Sequence, residues 1–111
     1  MNKAGGVKHD SNKSPWHLLP WIAVKGIVDV LQYGAGKYGD RNWEQGMPFS
    51  RLYSATLRHL TAWFEGNEDV DPETGLSHIA HAACNLFFLL TYIYRNIGLD
   101  DRPWQDKTKE K

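Results

Sequence analysis

The 111-residue chain contains little cysteine and no excess of either charge. Its one cysteine, Cys84, cannot form an internal disulfide, which favours a reducing compartment. Lysine plus arginine total 13 and aspartate plus glutamate total 13, so the formal net charge is zero. A general nucleic-acid coat would need a basic excess, and an acidic disordered tail protein would need an acidic one. We therefore expect neither class, and a near-zero charge suits a protein that associates with itself.

The sequence also lacks a long uninterrupted apolar run. Residues 1–14 have no apolar core of a secretory signal. The most apolar stretch, residues 79–97, is interrupted by His81, Asn85 and Arg95, whose transfer into lipid is energetically unfavourable. We therefore expect no membrane partner and a cytoplasmic location. A hydrophobic content of 41% and an aromatic content of 13% still favour one folded core.

Several common catalytic and metal-binding patterns are absent. The chain has no His-Glu-x-x-His, no Cys-x-x-Cys and no Gly-x-Ser-x-Gly, and residues 34–36 lack the length of a phosphate-binding loop. His78, His81 and Cys84 are closely spaced. A helix turns about 100° per residue, however, so Cys84 points away from His78, which disfavours zinc bound by these three side chains.

Apolar residues at three- and four-residue steps predict a first helix that starts near Pro15 or Pro20. It is predicted to run to about Tyr33, because Gly34 and Gly36 are typical of a helix end.

Two further helices are predicted. The second begins with Ser50 as its N-cap and ends near residues 65–66, and the third begins at either residues 71–72 or Ser77 and ends near Asn96. The third helix is apolar on nearly all sides, which predicts that the other helices and a second subunit cover it.

These patterns predict an all-α fold, a small three-helix protomer that assembles into a helical-bundle homo-oligomer, most simply a C2 dimer. Residues 1–14 are expected to form a flexible N-terminal arm, residues 15–99 a single all-α domain, and residues 100–111 a charged C-terminal tail.

The turn-rich segment 37–46 contains aromatic and basic side chains, whereas ordinary loops are small and polar. A ring can stack on a base and a cation can contact a phosphate, so this segment and two arginines of the second helix are candidate ligand contacts. The alternative is that Tyr38 and Trp43 fix the loop to the core. The candidate ligand- and phosphate-binding residues are Lys37, Tyr38, Arg41, Asn42, Trp43, Arg51 and Arg58.

A polar stripe interrupts the apolar third helix. His78, His81 and Asn85 stand at i, i+3 and i+7, on one side of that helix, and His59 of the second helix is placed to reach them. A buried polar group without a partner costs about 1–3 kcal/mol, so the stripe predicts a polar lining. We predict that these four residues are catalytic or orient a ligand; the alternative is a satisfied hydrogen-bond network at a subunit interface.

Carboxylates are concentrated between the second and third helices. Glu65 with Asp71 or Glu73 is a candidate Mg²⁺ site, because Mg²⁺ takes oxygen ligands and is commonly shared with substrate phosphates. The alternative is that Asp71 or Glu73 caps the third helix while Glu68 and Asp69 are solvated.

Several of these segments together resemble a known family. They occur in the same order as in the phage and bacterial dATP/dGTP diphosphohydrolases (N-terminal domain type), a family that looks like a relative of the MazG-like all-α nucleoside triphosphate pyrophosphohydrolases. The resemblance covers residues 18–90. It implies a helical oligomer, a purine deoxynucleotide ligand, release of pyrophosphate with a monophosphate product, and a phage protein acting in the host cytoplasm. The segments are residues 33–43, 50–53, 57–60 and 71–85.

One departure from the MazG-type pattern leaves three hypotheses. That pattern holds Mg²⁺ with paired glutamates on one helix and a Glu-x-x-Asp on the next, whereas this chain has residues 58–59 (Arg-His) and 81–85 (His-Ala-Ala-Cys-Asn). The first hypothesis is a purine (d)NTP diphosphohydrolase, with Mg²⁺ as cofactor if it is catalytic. The second is a non-catalytic viral sponge that sequesters a nucleotide-derived host immune signal, an anti-defence role. The third is a purely structural helical protein.

Overall fold

A computed structural model describes residues 4–9 and 12–104 of the chain, and over these residues it is all-helical, with no strand element. Helix α1 spans Trp21–Tyr38, α2 spans Phe49–Phe64 and α3 spans His78–Arg95. Short 3₁₀ helices cover Trp16–Leu18 and Asn42–Gln45. The predicted all-α class is confirmed. Parts of the predicted arm (residues 1–3 and 10–11) and tail (residues 105–111) lie outside the described residues.

Helix α3 occupies the centre and packs against both α2 and α1. The crossing of α1 and α3 is close at Gly26, where an added Cβ would lie 3.6 Å from the Ala80 side chain. The most buried side chains belong to α2 and α3, which places the core between these two helices. They are Leu52, Thr56, His78, Ala82, Cys84 and Tyr92.

The predicted end of the first helix at Tyr33 is wrong. Helix α1 continues through Gly34 and Gly36 to Tyr38 and stops at Gly39, whose φ of 93° is in the left-handed region. A glycine inside a helix costs only about 1 kcal/mol relative to alanine, so it weakens a helix without ending it. The helix ends where the backbone needs a positive φ.

The predicted N-cap of α2 is also wrong. Pro48 precedes the helix and Ser50 lies in its first turn, where its backbone N–H donates to Asp101 Oδ1 at 2.9 Å and its hydroxyl donates to Asp101 Oδ2. These bonds stabilise the carboxylate and hold the pKa of Asp101 below its usual range. The Phe49 N–H donates to the Leu99 carbonyl at 2.9 Å. Residues 99–101 are therefore attached to the start of α2.

Helix α3 begins as one of the two predicted alternatives requires. Ser77 is its N-cap, and the Ser77 hydroxyl oxygen accepts the Ala80 N–H at 3.1 Å. Asn96 ends the helix in the left-handed conformation, with φ 56°. Within the described part of the chain, none of the helices combines the length and hydropathy that crossing a bilayer requires.

Candidate functional site

Three histidines from two helices meet between α2 and α3. His59 Nδ1 lies 2.9 Å from His78 Nδ1, and the His59 ring stacks on the His81 ring with centroids 4.5 Å apart and planes 4° apart. The predicted proximity of His59 to the stripe is therefore present. Asn85 lies half-buried one turn further along α3, and the described contacts of the cluster do not extend to it. The catalytic roles of the four residues stay a prediction.

The connection between α2 and α3 brings two carboxylates to these imidazoles. Glu68 Oε1 lies 2.6 Å from His78 Nε2, and Asp71 Oδ2 lies 3.8 Å from His59 Nδ1. One ligand-type atom from each of His59, Asp71 and His78 falls within 4.8 Å of the others. We call these three residues the His-Asp cluster; they are the part of the described chain with the donor set of a metal site.

A tight turn holds Asp71 in this position. Its Oδ1 accepts the Glu73 N–H at 2.8 Å, its backbone N–H donates to the Leu76 carbonyl at 2.8 Å, and its carbonyl accepts the Gly75 N–H at 2.8 Å. Gly75 has φ 74°, which a residue with a side chain rarely adopts. The turn fixes one carboxylate oxygen and leaves Oδ2 directed toward His59.

A second contact from the same turn orients His81. Thr74 Oγ1 lies 2.7 Å from His81 Nε2 and also accepts the Leu76 N–H at 3.2 Å. The position of His81 is thus fixed on one side by Thr74 and on the other by the stacked ring of His59.

Burial decides the protonation of two of the imidazoles. Burial lowers the pKa of His59 and of His81, and neighbouring imidazoles lower both further, while the nearby Asp71 carboxylate acts in the opposite direction. Both side chains are therefore neutral at neutral pH and carry nitrogen lone pairs. Such imidazoles can bind a metal ion or accept a proton.

An open groove of about 1340 Å³ lies beside the cluster. It is bounded by the C-terminal half of α1, the segment 39–44 and one side of α2 and α3, and most of the predicted ligand residues line it together. Of the predicted ligand- and phosphate-binding residues, Lys37 lies outside the lining, with Nζ 5.2 Å from the Tyr38 ring centroid, and the predicted catalytic residues His59, His78 and Asn85 also lie outside it. The predicted residues in the lining are Tyr38, Arg41, Asn42, Trp43, Arg51, Arg58 and His81.

Trp43 has a structural role in this groove. Its ring stacks on Phe88 with centroids 4.4 Å apart, and its carbonyl accepts the Tyr92 hydroxyl at 2.5 Å. Trp43 thus fixes the loop to α3, as one of the two predicted alternatives requires, and one face of its ring is already covered. Tyr38, 63% exposed, presents the more open ring.

Comparison with known proteins identifies the family of this chain. Residues 3–102 match the family described as dATP/dGTP diphosphohydrolase, N-terminal. The chain belongs to this family. It is 39% identical over 99 residues to a dATP/dGTP diphosphohydrolase of Salmonella phage PMBT28, which covers 89% of this chain and 33% of the relative. The chain therefore spans about a third of that phage protein. No solved structure matches the chain significantly.

In this dATP/dGTP diphosphohydrolase family member the predicted Mg²⁺ residues lie in different surroundings, and their role as Mg²⁺ ligands stays a prediction. Asp71 faces the histidines, whereas Glu65 lies exposed at the end of α2 and Glu73 is exposed in the turn.

Cys84 is buried, and burial raises the pKa of its thiol to about 11, so it is a protonated core residue.

Glu68 and Thr74 are the site residues that the sequence analysis missed. Glu68 was expected to be solvated, yet it contacts His78 across ten residues of irregular chain. No helical or strand period relates residues separated by such a connection, so spacing alone gives no signal. A weak signal is the concentration of acidic residues and turn formers directly before His78.

Proposed function

We propose that this chain binds a purine deoxynucleoside triphosphate and hydrolyses it to a monophosphate and pyrophosphate. The observation that carries the proposal is the groove, because it collects the predicted polar, aromatic and basic residues from Tyr38 to His81, which are up to 43 positions apart in sequence. The name of the phage relative supports the same substrate class. We further propose that the protein acts in the cytoplasm of a host cell, where nucleotides are available.

The charges in the groove suit a triphosphate. Arg41, Arg51 and Arg58 are exposed and line it, whereas Arg95 is already paired with Glu44 at 3.3 Å. Guanidinium groups bind phosphate oxygens with charge-assisted hydrogen bonds, often two at a time. In this proposal the three arginines contact phosphates and Tyr38 stacks on the base.

The proposed reaction is attack of water on the α-phosphorus. The water oxygen forms a bond to this phosphorus, the bond between the α-phosphorus and the bridging oxygen breaks, and pyrophosphate leaves. His81 is neutral, lines the groove and is oriented by Thr74, so it is placed to accept the proton from water. The arginines offset the charge that grows on the leaving pyrophosphate. Mg²⁺ would enter as the counter-ion of the substrate phosphates.

The test is pyrophosphate release from a panel of deoxynucleoside triphosphates in the presence of Mg²⁺. We expect dATP and dGTP to be cleaved, Arg58→Ala to raise KM, and His81→Ala to lower kcat by about 100-fold or more. The matched controls are Arg102→Ala and His17→Ala, which change the same residue types outside the groove and should retain activity. Equal activity of the groove variants and the controls would contradict the proposal.

One observation favours a second function. Helices α2 and α3 carry no acidic residue, although related pyrophosphohydrolases hold Mg²⁺ with helical glutamates. A groove of this kind can retain a nucleotide without cleaving it, as the proposed viral sponge would in an anti-defence role. Tight binding of a nucleotide that is recovered intact after denaturation, with no pyrophosphate formed, would identify this function.

We also propose that the protein is a homo-oligomer, most simply a dimer. Several large apolar side chains on α1, α2 and α3 are more than half exposed, including Ile22, Phe64, Leu86 and Ile93. Exposed apolar area of this extent is typical of protein interfaces. Sedimentation velocity should show an oligomer that Leu86→Lys weakens and the exposed polar control Thr61→Lys does not. A monomer at high micromolar concentration would contradict the proposal.

A further inference from the structure

We infer that His59, Asp71 and His78 form a binding site for a divalent first-row transition-metal ion of the zinc type, with Glu68 as the residue that orients His78. The inference concerns metal binding by the free protein and does not depend on the proposed nucleotide reaction.

The donor atoms decide the class of metal. Two of the three are imidazole nitrogens and one is a carboxylate oxygen. Mg²⁺ prefers an all-oxygen shell, whereas Zn²⁺, Co²⁺ and Mn²⁺ accept imidazole together with carboxylate. The His-Asp cluster therefore does not suit Mg²⁺, and it suits a transition metal held by two histidines and one carboxylate, with a position left for water or a phosphate oxygen.

The distances are close to those around a shared ion. Metal–ligand bonds of about 2.0–2.1 Å in tetrahedral geometry place two ligand atoms about 3.4 Å apart. His59 Nδ1 and His78 Nδ1 are 2.9 Å apart, about half an ångström closer. Asp71 Oδ2 lies 3.8 Å from His59 Nδ1, a few tenths of an ångström beyond the roughly 3.4 Å of a tetrahedral pair with the same bond lengths. Small side-chain movements suffice to complete the shell.

Glu68 supplies the orientation that metal-binding histidines usually have. Its carboxylate lies 2.6 Å from His78 Nε2, and a carboxylate can only accept, so the proton is on Nε2. In the neutral ring this leaves the lone pair on Nδ1, which faces the cluster. Hydrogen bonding of the second ring nitrogen to a carboxylate is the common arrangement around protein zinc. Asp71 is fixed comparably by the Glu73 N–H.

The competing explanation is a simple hydrogen bond between His59 and His78. Two measurements on the EDTA-treated full chain, without nucleotide, distinguish a metal site from a simple hydrogen bond. They are equilibrium dialysis with metal analysis and the visible absorption of added Co²⁺. We expect one Zn²⁺ or Co²⁺ per chain. His59→Ala and the isosteric Asp71→Asn should weaken binding by more than about 100-fold, and Glu68→Gln by about 10- to 100-fold with unchanged stability in EDTA.

Matched controls test the ligand set. His17→Ala and His9→Ala remove exposed histidines away from the cluster. Both should bind Co²⁺ within about threefold of the wild type. No binding by the wild type, or equal loss in the controls, overturns the inference. Metal binding without nucleotide cleavage would refute the proposed reaction alone, and cleavage without transition-metal binding would refute this site alone.

Discussion

The hydroxyl of Tyr92 ties α3 to the loop that forms one wall of the groove, and its removal gives a sharp test of the fold. Tyr92 has no exposed surface, and its hydroxyl donates to the Trp43 carbonyl at 2.5 Å, across 49 positions of sequence. Tyr92→Phe deletes this oxygen and keeps the ring. The perturbation therefore isolates one long-range hydrogen bond.

The structure limits the size of the effect. The Trp43 carbonyl also accepts the Gly46 N–H at 3.1 Å, so it keeps a partner after the substitution. We expect the free energy of unfolding to fall by about 1 kcal/mol, the net value of an ordinary hydrogen bond. Tyr92→Ala also removes a ring that packs near Trp43 and Phe49, at centroid distances of 6.2 and 6.4 Å, and should cost about 3–5 kcal/mol.

Urea unfolding followed by far-UV circular dichroism measures these losses of stability. The protein concentration is kept fixed, because the proposed self-association would make stability depend on it. The matched control is Tyr94→Phe, which removes the hydroxyl of a tyrosine that is 79% exposed and should change stability by less than about 0.5 kcal/mol. If Tyr92→Phe is no more destabilising than Tyr94→Phe, the hydroxyl does not hold the loop and the reasoning is refuted.

Three further predictions concern backbone, thiol and pH. Gly46→Ala should destabilise the fold by about 1–3 kcal/mol, because φ at this position is 94° and an added Cβ would lie 2.9 Å from a backbone nitrogen. Gly36→Ala, in open space within α1, should stabilise the fold by about 0.5–1 kcal/mol. Urea midpoints measure both changes, and equal effects on stability would contradict this reasoning. Cys84 should react with iodoacetamide far more slowly in the folded protein than in urea, because the thiol is buried and burial raises its pKa to about 11. Mass spectrometry measures the two rates, and equal rates would argue against a buried thiol. In EDTA, the free energy of unfolding should fall as the pH drops below about 6.5. The reason is that His59 and His81 have lowered pKa values in the folded protein, so below this pH the unfolded chain binds protons more readily than the folded one. Thermal unfolding at pH 7.5 and 5.5 tests this, and equal stability at the two pH values would contradict it.

Periodicity was sufficient to predict the three helices, and local signals were insufficient for the end of α1 and the start of α2. The steps of three and four residues that define α1, α2 and α3 are properties of the chain itself, and Ser77 is a local N-cap. The start of α2 is different, because the Ser50 N–H donates to Asp101 and the Phe49 N–H donates to the Leu99 carbonyl, both about 50 residues away. The glycines at 34 and 36 misled the prediction because they lower helix stability only slightly.

The same distinction applies to the candidate site. His78 and His81 share one side of a helix by spacing, and the inward position of His59 on α2 follows from the apolar pattern around it. The partners of these histidines come from the irregular connection between α2 and α3, where the folded backbone alone brings Glu68 and Asp71 to the imidazoles. Positions in such a turn depend on its hydrogen bonds, which the sequence does not display as a period.

The origin of these carboxylates bears on the choice between hydrolysis and sequestration. The absence of acidic residues from α2 and α3 favours a sponge only if the metal must be held by helical glutamates. Here the connecting turn supplies a carboxylate beside two imidazoles. His81 stacks on His59 and also lines the groove, so it connects the His-Asp cluster to the groove. In the proposed metal site the ion would be held without any helical acid. The lack of helical acids therefore does not decide between the two functions, and the state of the recovered nucleotide is the measurement that does.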